Sequence, residues 1–556
     1  MEEEEVMEVK DKKALPIGLS DFKSVIEENY YYVDKTGLIS SILKDGANVN
    51  LFTRPRRFGK TLNMSMLRYF FDFENREENK KLFDNLNVSE SEYASEQGKY
   101  PVIFVSFKNI EEDEWEDCYF EIKNLINKLY NDFEFIRKNL NQSELMEFDK
   151  IWLKQKEADW KNSLKILTKY LYDYYGKKKV VVLVDEYDTP IIQSYQAGYY
   201  KKAISFFKRF YGEALKDNEY LQFGIMTGIL RIAKEGIFSG LNNLKVNTIF
   251  SEKYSEFFGL TENEVIRAVK YYELEYELEE VKKWYDGYQF GDSEIYNPWS
   301  IINFLSAGQL RPYWIGVSGN KLIDEMLDEG NKEIFDDLGK LFNKEKIYKE
   351  INDYSEFTFD TDDIWQLFLY AGYLTIGGEK VDNEYPIRIP NNEILEFFEN
   401  RFIARFIRKT RKFTNIIKDL KKGKIEEFAK GLQDEILSSL SYFDTDKDEK
   451  YYKVFLIGIF IVLGNDYIRL SERESGYGRA DLVLEPKNKE NPAYIFEFKV
   501  AGNEEEMENY AMEGFEQIKE KEYDVELKNR GVKEIIHIGL GFYRKKLRMK
   551  YEKTSF

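Results

Sequence analysis

The amino-acid sequence predicts an α/β protein of several domains, with an N-terminal parallel sheet flanked by helices, a mostly helical middle region and a smaller C-terminal α/β domain. Its 556 residues exceed what one hydrophobic core usually supports, since domains average ~150 residues. Apolar runs rich in β-branched residues alternate with amphipathic segments in the N-terminal part, which is typical of buried parallel strands separated by helices. We expect domains over residues 1–255, 256–440 and 441–556.

Four apolar runs predict the strands of the N-terminal sheet. They cover residues 49–53, 101–107, 179–184 and 221–227. Helical spacing of apolar residues predicts helices between them, over residues 60–73, 116–140 and 162–175. The middle region reads as mostly helical, and its aromatic runs at 284–288 and 296–299 are predicted to pack the ends of helices.

Composition excludes several kinds of site and location. The chain has one cysteine, Cys118, and one histidine, His537, which excludes a disulfide framework and any zinc site built from several such ligands. No stretch approaches the ~20 apolar residues of a membrane span, and the N-terminus opens on an acidic run where a signal peptide would be basic. We therefore expect a cytoplasmic protein with no membrane partner, in which oxygen ligands hold any catalytic metal.

A phosphate-binding loop is predicted between the first strand and the helix after it. Residues 54–61, RPRRFGKT, match the pattern GxxxxGK[ST] except that Arg54 replaces the first glycine. In that pattern backbone N–H groups hold phosphates, the lysine neutralises their oxygens and the hydroxyl ligates Mg²⁺. Gly59, Lys60 and Thr61 supply these groups, and Arg57 is a further candidate contact to ATP. Because Arg54 cannot adopt a positive φ as readily as glycine, the sequence supports nucleotide binding more directly than hydrolysis.

An acidic strand end is the expected partner of this loop. The run VVVLVDE ends on Asp185, a candidate ligand of the nucleotide's Mg²⁺, and Glu186, which would activate the attacking water. After the next strand, Thr227 is a candidate γ-phosphate sensor and Arg231 a candidate for stabilising transition-state charge. The alternatives are a loop and strand end that only pair with each other and, for Thr227 and Arg231, a surface salt bridge. Loop and acid together predict a P-loop NTPase domain.

A second site is predicted near the C-terminus. Asp481 enters one strand, and Glu497 and Lys499 share one face of the next, so a hairpin would bring the three together. Two carboxylates suit a hard cation such as Mg²⁺, and a lysine can position or polarise the water that attacks phosphorus. An exposed Glu-Lys pair is usually only a solvated face, but here the flanking positions are apolar, so buried charges need a reason.

Three further residues complete the predicted C-terminal site. Glu449, on a preceding helix, would add a metal ligand, and Gln517 and Tyr523, on the following helix, would orient the water or a phosphate. This arrangement predicts a restriction-endonuclease-like α/β domain with metal-dependent phosphodiesterase chemistry.

Short motifs lie along nearly the whole chain: LPIG at 15–18, YVDKT at 32–36, the loop 54–61, DEYD at 185–188, FSGLNN at 238–243, the two aromatic runs, GYL at 372–374, IPN at 389–391, and 474–481 with EFK at 497–499. In these motifs the chain resembles a bacterial family that couples an AAA-ATPase-like domain to a PD-(D/E)XK nuclease domain. Arg54 resembles the family's own form of the loop. Two departures are Lys453, where the family generally has histidine, and Ala480, where an aromatic residue often precedes the aspartate.

The resemblance implies an ATP-regulated, Mg²⁺-dependent nuclease whose partners are ATP and nucleic acid, with DNA expected. The alternative is a nucleotide-dependent switch or scaffold whose nuclease-like domain binds DNA or protein without cutting. Retention of Asp481, Glu497 and Lys499 favours the first. The net charge of −19 and the altered loop favour the second, because DNA binding rests on neutralising phosphates with basic residues. The sequence leaves the oligomeric state open.

Overall fold

The computed structural model forms two compact units, each with its own sheet. It describes residues 12–232, 242–314, 337, 340–341, 344–351, 364–398, 413–439, 466–471, 474–475 and 478–556. The first unit lies within residues 1–330 and 346–394, and the second within 331–345 and 395–556. The three-domain boundaries at 255 and 440 stay predictions.

Five parallel strands form the N-terminal sheet, in the order β2-β3-β4-β1-β5. They are β1 (Val49–Thr53), β2 (Val102–Ser106), β3 (Val180–Asp185), β4 (Leu221–Gly228) and β5 (Leu244–Asn247). Every residue of β3 is buried, as expected for a parallel strand covered on both faces. The first four strands confirm the prediction. Strand β5 was not predicted; it is short and partly exposed at the edge of the sheet.

Helices cover both faces of this sheet. They are α1 (Phe22–Glu27), α2 (Gly37–Asp45), α3 (Lys60–Phe71), α4 (Arg76–Lys80), α5 (Trp115–Asp132), α6 (Gln142–Trp152), α7 (Ser163–Tyr174), α8 (Thr189–Gln196) and α9 (Tyr200–Leu215). On one face, Phe223 and Ile225 of β4 pack in a core with α1, α2 and α3. The intervening Gly224 faces Leu215 of α9 on the other side. Alternation along one strand therefore places the two helical layers.

The rest of the first unit combines helices with short strands. Its elements are α10 (Glu262–Tyr271), α11 (Leu278–Tyr285), β6 (Tyr288–Phe290), β7 (Ser293–Ile295), α12 (Pro298–Ala307), β8 (Ile347–Lys349), α13 (Ile364–Ala371), β9 (Thr375–Ile376) and β10 (Tyr385–Arg388). Tyr285 and Tyr296 are buried in a core with Phe304 of α12, as predicted for the aromatic runs. Asn297 caps α12 by accepting hydrogen bonds from the backbone N–H groups of Trp299 and Ser300.

The second unit contains a mixed five-stranded sheet in the order β11-β14-β15-β16-β17. Its elements are α14 (Phe413–Lys421), α15 (Ile425–Ser439), β11 (Tyr467–Ser471), β12 (Glu474–Ser475), β13 (Gly478–Arg479), β14 (Leu482–Pro486), β15 (Ala493–Val500), α16 (Met507–Glu520), α17 (Val525–Asn529), β16 (Glu534–Tyr543) and β17 (Lys546–Ser555). Helices α14 and α15 pack on one face through a core that includes Leu420, Phe428 and Phe496. The predicted mixed α/β fold class, with an N-terminal parallel sheet, a helical middle and a C-terminal sheet domain, is confirmed.

Two glycines of β16 let helix α16 lie directly on the sheet. A β-carbon at Gly539 would lie 2.1 Å from the carbonyl oxygen of Ala511, and one at Gly541 would lie 2.2 Å from that of Met507. Both obstacles are helix backbone, which cannot move aside as a flexible side chain can. The close approach also brings Gly514 of α16 against Glu497 of β15.

Replacing Gly539 by alanine should therefore destabilise the second unit by at least ~1–3 kcal/mol, because the helix backbone must shift to admit the methyl group. Thermal and urea unfolding would measure the loss. Gly502→Ala is the matched control in the same unit, since its β-carbon would meet only a side-chain oxygen of Glu506, at 3.4 Å. Equal stability of Gly539→Ala and the unmodified protein would contradict the close packing.

Candidate ATP and nuclease sites

The phosphate-binding loop joins β1 to α3 and turns at two residues in the left-handed region. They are Arg57, with φ of 71°, and Gly59, with φ of 78°, which is also the N-cap of α3. The turn is therefore not built at Arg54, where the sequence raised a doubt about backbone geometry. A positive φ at Arg57 is uncommon for a residue with a side chain, so contacts from the surrounding structure must hold it there.

Arg54 is fully buried and ties the loop to the neighbouring chain segments. Its guanidinium donates to the carbonyl oxygens of Thr53 (2.8 Å), Asn247 (3.0 Å) and Tyr254 (3.5 Å). Its central carbon also lies over the rings of Phe258 and Phe290, 5.2 and 5.3 Å from their centroids. Arginine at the first loop position is thus a structural anchor, and the sequence did not reveal this role.

Lys60 is almost fully buried at the start of α3. Its Nζ donates to the carbonyl oxygens of Arg54 (3.0 Å) and Pro55 (2.9 Å) within the loop. Burial lowers the pKa of its ammonium group, and the charges of Glu186 and the two nearby aspartates oppose this. The positive charge is held inside the loop, where a phosphate would meet it.

Asp185, at the end of β3, gathers three hydroxyl groups. Its Oδ2 accepts from Thr61 (3.0 Å) and Ser106 (3.3 Å), and its Oδ1 accepts from Thr227 (2.6 Å). Burial raises the pKa of Asp185, while the hydrogen bond from Thr227 opposes the rise. The structure thus brings together Thr61, Asp185 and Thr227, three of the residues predicted from sequence. It adds Ser106 at the end of β2, which was not singled out.

Glu186 follows Asp185 in a left-handed conformation, with φ of 51°, and is partly exposed. Its Oε2 accepts a hydrogen bond from the hydroxyl of Thr189, at 3.3 Å. Its backbone N–H points to the Thr227 hydroxyl, at 3.4 Å. The turn separates the two acids, so that Asp185 points into the buried hydroxyl cluster and Glu186 remains accessible.

Asp188 is a buried acid to which the sequence assigned no role. Its Oδ2 accepts from the backbone N–H groups of Ile229 (2.7 Å) and Leu230 (2.8 Å), which follow β4. Burial raises the pKa of Asp188 to about 6, although those two backbone bonds act in the opposite direction. Asp188 therefore fixes the segment that carries Arg231. Burial raises the pKa of the Tyr187 phenol, and the nearby positive charge of Arg231 opposes that rise.

The predicted carboxylate residues of the second unit lie side by side. Strands β14 and β15 pair antiparallel, with Leu482 opposite Phe496. The backbone N–H of Asp481 donates to Oε2 of Glu497 (3.3 Å), and Oδ2 of Asp481 accepts from the backbone N–H of Phe498 (2.9 Å). Glu497 is only 3% exposed. Nζ of Lys499 lies 3.7 Å from Oε1 of Glu497, on the same face of β15.

Gln517 contacts this group from beyond the sheet, and Tyr523 contacts Gln517. The side-chain amide of Gln517, on α16, donates to Oε1 of Glu497 and lies 3.3 Å from the hydroxyl of Tyr523. Tyr523 was predicted on the same helix but lies just past its end, because Glu522 adopts a left-handed φ of 52°. The third predicted ligand, Glu449, falls outside the described residues.

The oxygen ligands available at both sites suit a hard cation. Thr61 and Asp185 offer oxygen atoms in the first unit, and Asp481 and Glu497 offer carboxylates in the second. Among the described residues, no group of three or more His, Cys, Asp or Glu side chains could hold a metal ion. In the same residues, no helix combines the length and apolar character needed to cross a bilayer.

Comparison with known proteins gives two family matches. A model described as a predicted AAA-ATPase matches residues 16–238, and one described as the PD-(D/E)XK nuclease superfamily matches residues 447–552. A protein of Azotobacter chroococcum mcd 1, described as an uncharacterized protein in the vnfD 5′ region, is 28% identical over 550 residues, covering 96% of this chain and 97% of its own.

Among solved structures, Drosophila ORC bound to AT-rich DNA and Cdc6 matches 68% of this chain and 90% of its own, at 10% identity and a TM-score of 0.18. That similarity is too low to support an inference. The first family match contains the loop and Asp185, and the second contains both C-terminal carboxylates. The chain therefore carries a predicted AAA-ATPase domain and a domain of the PD-(D/E)XK nuclease superfamily.

Proposed function

We propose that the chain binds and hydrolyses ATP in its first unit and that its second unit is a Mg²⁺-dependent nuclease acting on nucleic acid, with DNA the expected substrate. One observation supports both halves: each unit brings a predicted acid into contact with its predicted partner. Thr61 donates to Asp185, and Asp481 donates to Glu497 through its backbone.

At the ATP site, residues of the chain would bind the nucleotide, orient it and accept a proton from water. When bound, ATP would supply the phosphoryl group, and Mg²⁺ would neutralise the charge of the phosphates. Thr61 and Asp185 would hold the cation, and the Lys60 ammonium would contact the outer phosphates, together with Gly59 and Arg57.

Three further residues complete the proposed hydrolytic site. The carboxylate of Glu186, accessible beside the buried cluster, would accept the proton of the attacking water. The hydroxyl of Thr227, already bonded to Asp185, would sense the γ-phosphate. Arg231, on the segment fixed by Asp188, would stabilise the charge that develops in the transition state.

At the nuclease site, Asp481 and Glu497 would hold a divalent cation, with Glu449 as a third ligand. The cation would supply Lewis-acid polarisation of the scissile phosphate. The Lys499 ammonium would orient the attacking water and stabilise developing negative charge. Gln517 and Tyr523 would fix the Glu497 carboxylate, since the amide of Gln517 donates to that group and contacts the Tyr523 hydroxyl.

A second candidate is a nucleotide-dependent switch or scaffold that binds DNA or protein without cutting. The net charge of −19 favours it, because a strongly acidic chain attracts DNA poorly. The donors that already surround Glu497 would also have to rearrange when a cation binds.

A cleavage assay distinguishes the two candidates. We expect labelled DNA to be cut in the presence of Mg²⁺ or Mn²⁺, the chelator EDTA to stop the reaction, and ATP to change its rate; RNA in parallel tests the choice of substrate. Calorimetry on the same preparation should detect Mg²⁺-dependent ATP binding. ATP binding without cleavage of either nucleic acid would favour the switch, and absence of ATP binding would refute the first half of the proposal.

A further inference from the structure

The side chain of Arg57 leaves the phosphate-binding loop and stacks on Trp299, the second residue of α12. Its guanidinium carbon lies 3.8 Å from the centroid of the indole ring. This distance is well within the ~6 Å range of attractive cation–π contacts. The two residues are far apart in sequence, and both belong to the first unit.

Trp299 is itself firmly held. Its indole N–H donates to the carbonyl oxygen of Tyr313 (3.1 Å), and its backbone N–H donates to the side chain of Asn297 (2.9 Å). Pro298, at the first position of α12, restricts the backbone that leads into the helix. The ring is therefore a fixed surface against which the arginine side chain stacks.

Arg57 keeps its hydrogen-bond donors available in this position. No carboxylate of the described residues lies within ion-pair distance of its guanidinium. Burial lowers the pKa of Arg57, and the neighbouring positive charge of Arg56 lowers it further. Stacking covers the face of a guanidinium, whereas its N–H donors point outward in the plane and can still bind an anion.

We propose that Trp299 is a positioning residue for the nucleotide and that it acts through Arg57. The ring holds the guanidinium beside the loop, with its in-plane donors available to the phosphates. The Arg57 side chain is then already ordered before ATP binds, which lowers the entropy cost of binding. The left-handed backbone of Arg57 contributes to this positioning. The adjacent Phe58 is buried against Tyr288 and Phe290, and these contacts hold the turn in place. The inference rests on the proposed binding of ATP to the loop.

A double-mutant cycle measured by calorimetry with Mg²⁺ and ATP tests the inference. Trp299→Leu should weaken ATP binding about 3- to 30-fold, the range that corresponds to the strength of a cation–π contact. Trp299→Phe, which keeps an aromatic face, should weaken it less. Arg57→Ala should weaken it at least as much as Trp299→Leu, and the double variant should bind no worse than Arg57→Ala alone, because Trp299 acts only through Arg57.

Trp152→Leu is the matched control. Trp152 is also partly buried and carries a stacked arginine, with the Arg137 guanidinium carbon 4.1 Å from its ring centroid. The ATP affinity of Trp152→Leu should equal that of the unmodified protein. Equal ATP affinity in folded Trp299→Leu, or additive losses in the double variant, would overturn the inference. If Trp299→Leu does not fold, Arg57→Lys is the second test, since lysine keeps the charge but cannot stack as a planar group. Unchanged ATP affinity in Arg57→Lys would overturn the inference.

Lys60→Ala separates this inference from the proposed function. If Lys60→Ala weakens ATP binding and Trp299→Leu does not, the role of Trp299 is refuted and the proposed ATP site is not. An unmodified protein that binds no ATP refutes both.

Discussion

Replacing Asp481 by asparagine should lower the rate of nucleic-acid cleavage by about 1,000-fold or more, the scale of losses when a central catalytic group is removed. The amide can still accept the hydrogen bond from the N–H of Phe498, so the hairpin should keep its geometry. It loses the negative charge that a divalent cation requires. Cleavage rates with Mn²⁺, together with Mn²⁺ binding by calorimetry, measure the effect, and both should fall.

Lys499→Ala provides the contrast within the same site. Lysine is not a ligand of hard cations, so this variant should keep Mn²⁺ binding and lose cleavage. Its ammonium group lies 3.7 Å from Glu497, which makes it a neighbour of the proposed ligand. Cleavage undiminished in Asp481→Asn would exclude this carboxylate as a metal ligand.

Lys60→Ala should weaken ATP binding by about 10- to 100-fold, because it removes a charge-assisted contact to the phosphates. The change also leaves the carbonyl oxygens of Arg54 and Pro55 without the donor they have in this structure. A thermal melt must therefore show that the variant is folded before its affinity is compared. Calorimetry with Mg²⁺ and ATP gives the comparison, and an affinity equal to that of the unmodified protein would remove Lys60 from the site.

Glu186→Gln is the companion variant. The glutamine keeps an acceptor for the Thr189 hydroxyl but cannot take a proton from water. ATP binding should remain and phosphate release should slow. Hydrolysis at the normal rate would show that another group accepts the proton.

Most of the N-terminal sheet and the position of Asp185 within it could be predicted from sequence, because their signals are local. A run of apolar, mostly β-branched residues predicts strand β3, and the acid that ends it must lie at the carboxyl edge of the sheet. The same holds for Glu497 and Lys499, whose shared face follows from alternation along one strand. The order of the strands in the N-terminal sheet has no local signal, and the short segment of β5, LKVN, has no apolar run.

Contacts between distant segments could not be predicted in this way. Nothing local to Arg54 shows that its guanidinium bonds the carbonyl oxygens of Asn247 and Tyr254. The stacking of Arg57 on Trp299 likewise depends on where α12 packs, and the aromatic run that contains Trp299 was interpreted as packing alone. Side-chain patterns identify faces of elements, but which faces meet is decided by the whole fold.

The buried guanidinium of Arg54 also bears on how fast a nucleotide can enter the loop. Because the protein's own carbonyl oxygens hold this residue, contacts within the protein fix the start of the loop. A preformed site needs no slow rearrangement after encounter, so association should proceed at a rate set by diffusion, orientation and charge attraction. Differences in affinity among nucleotides would then arise in how long each one stays bound.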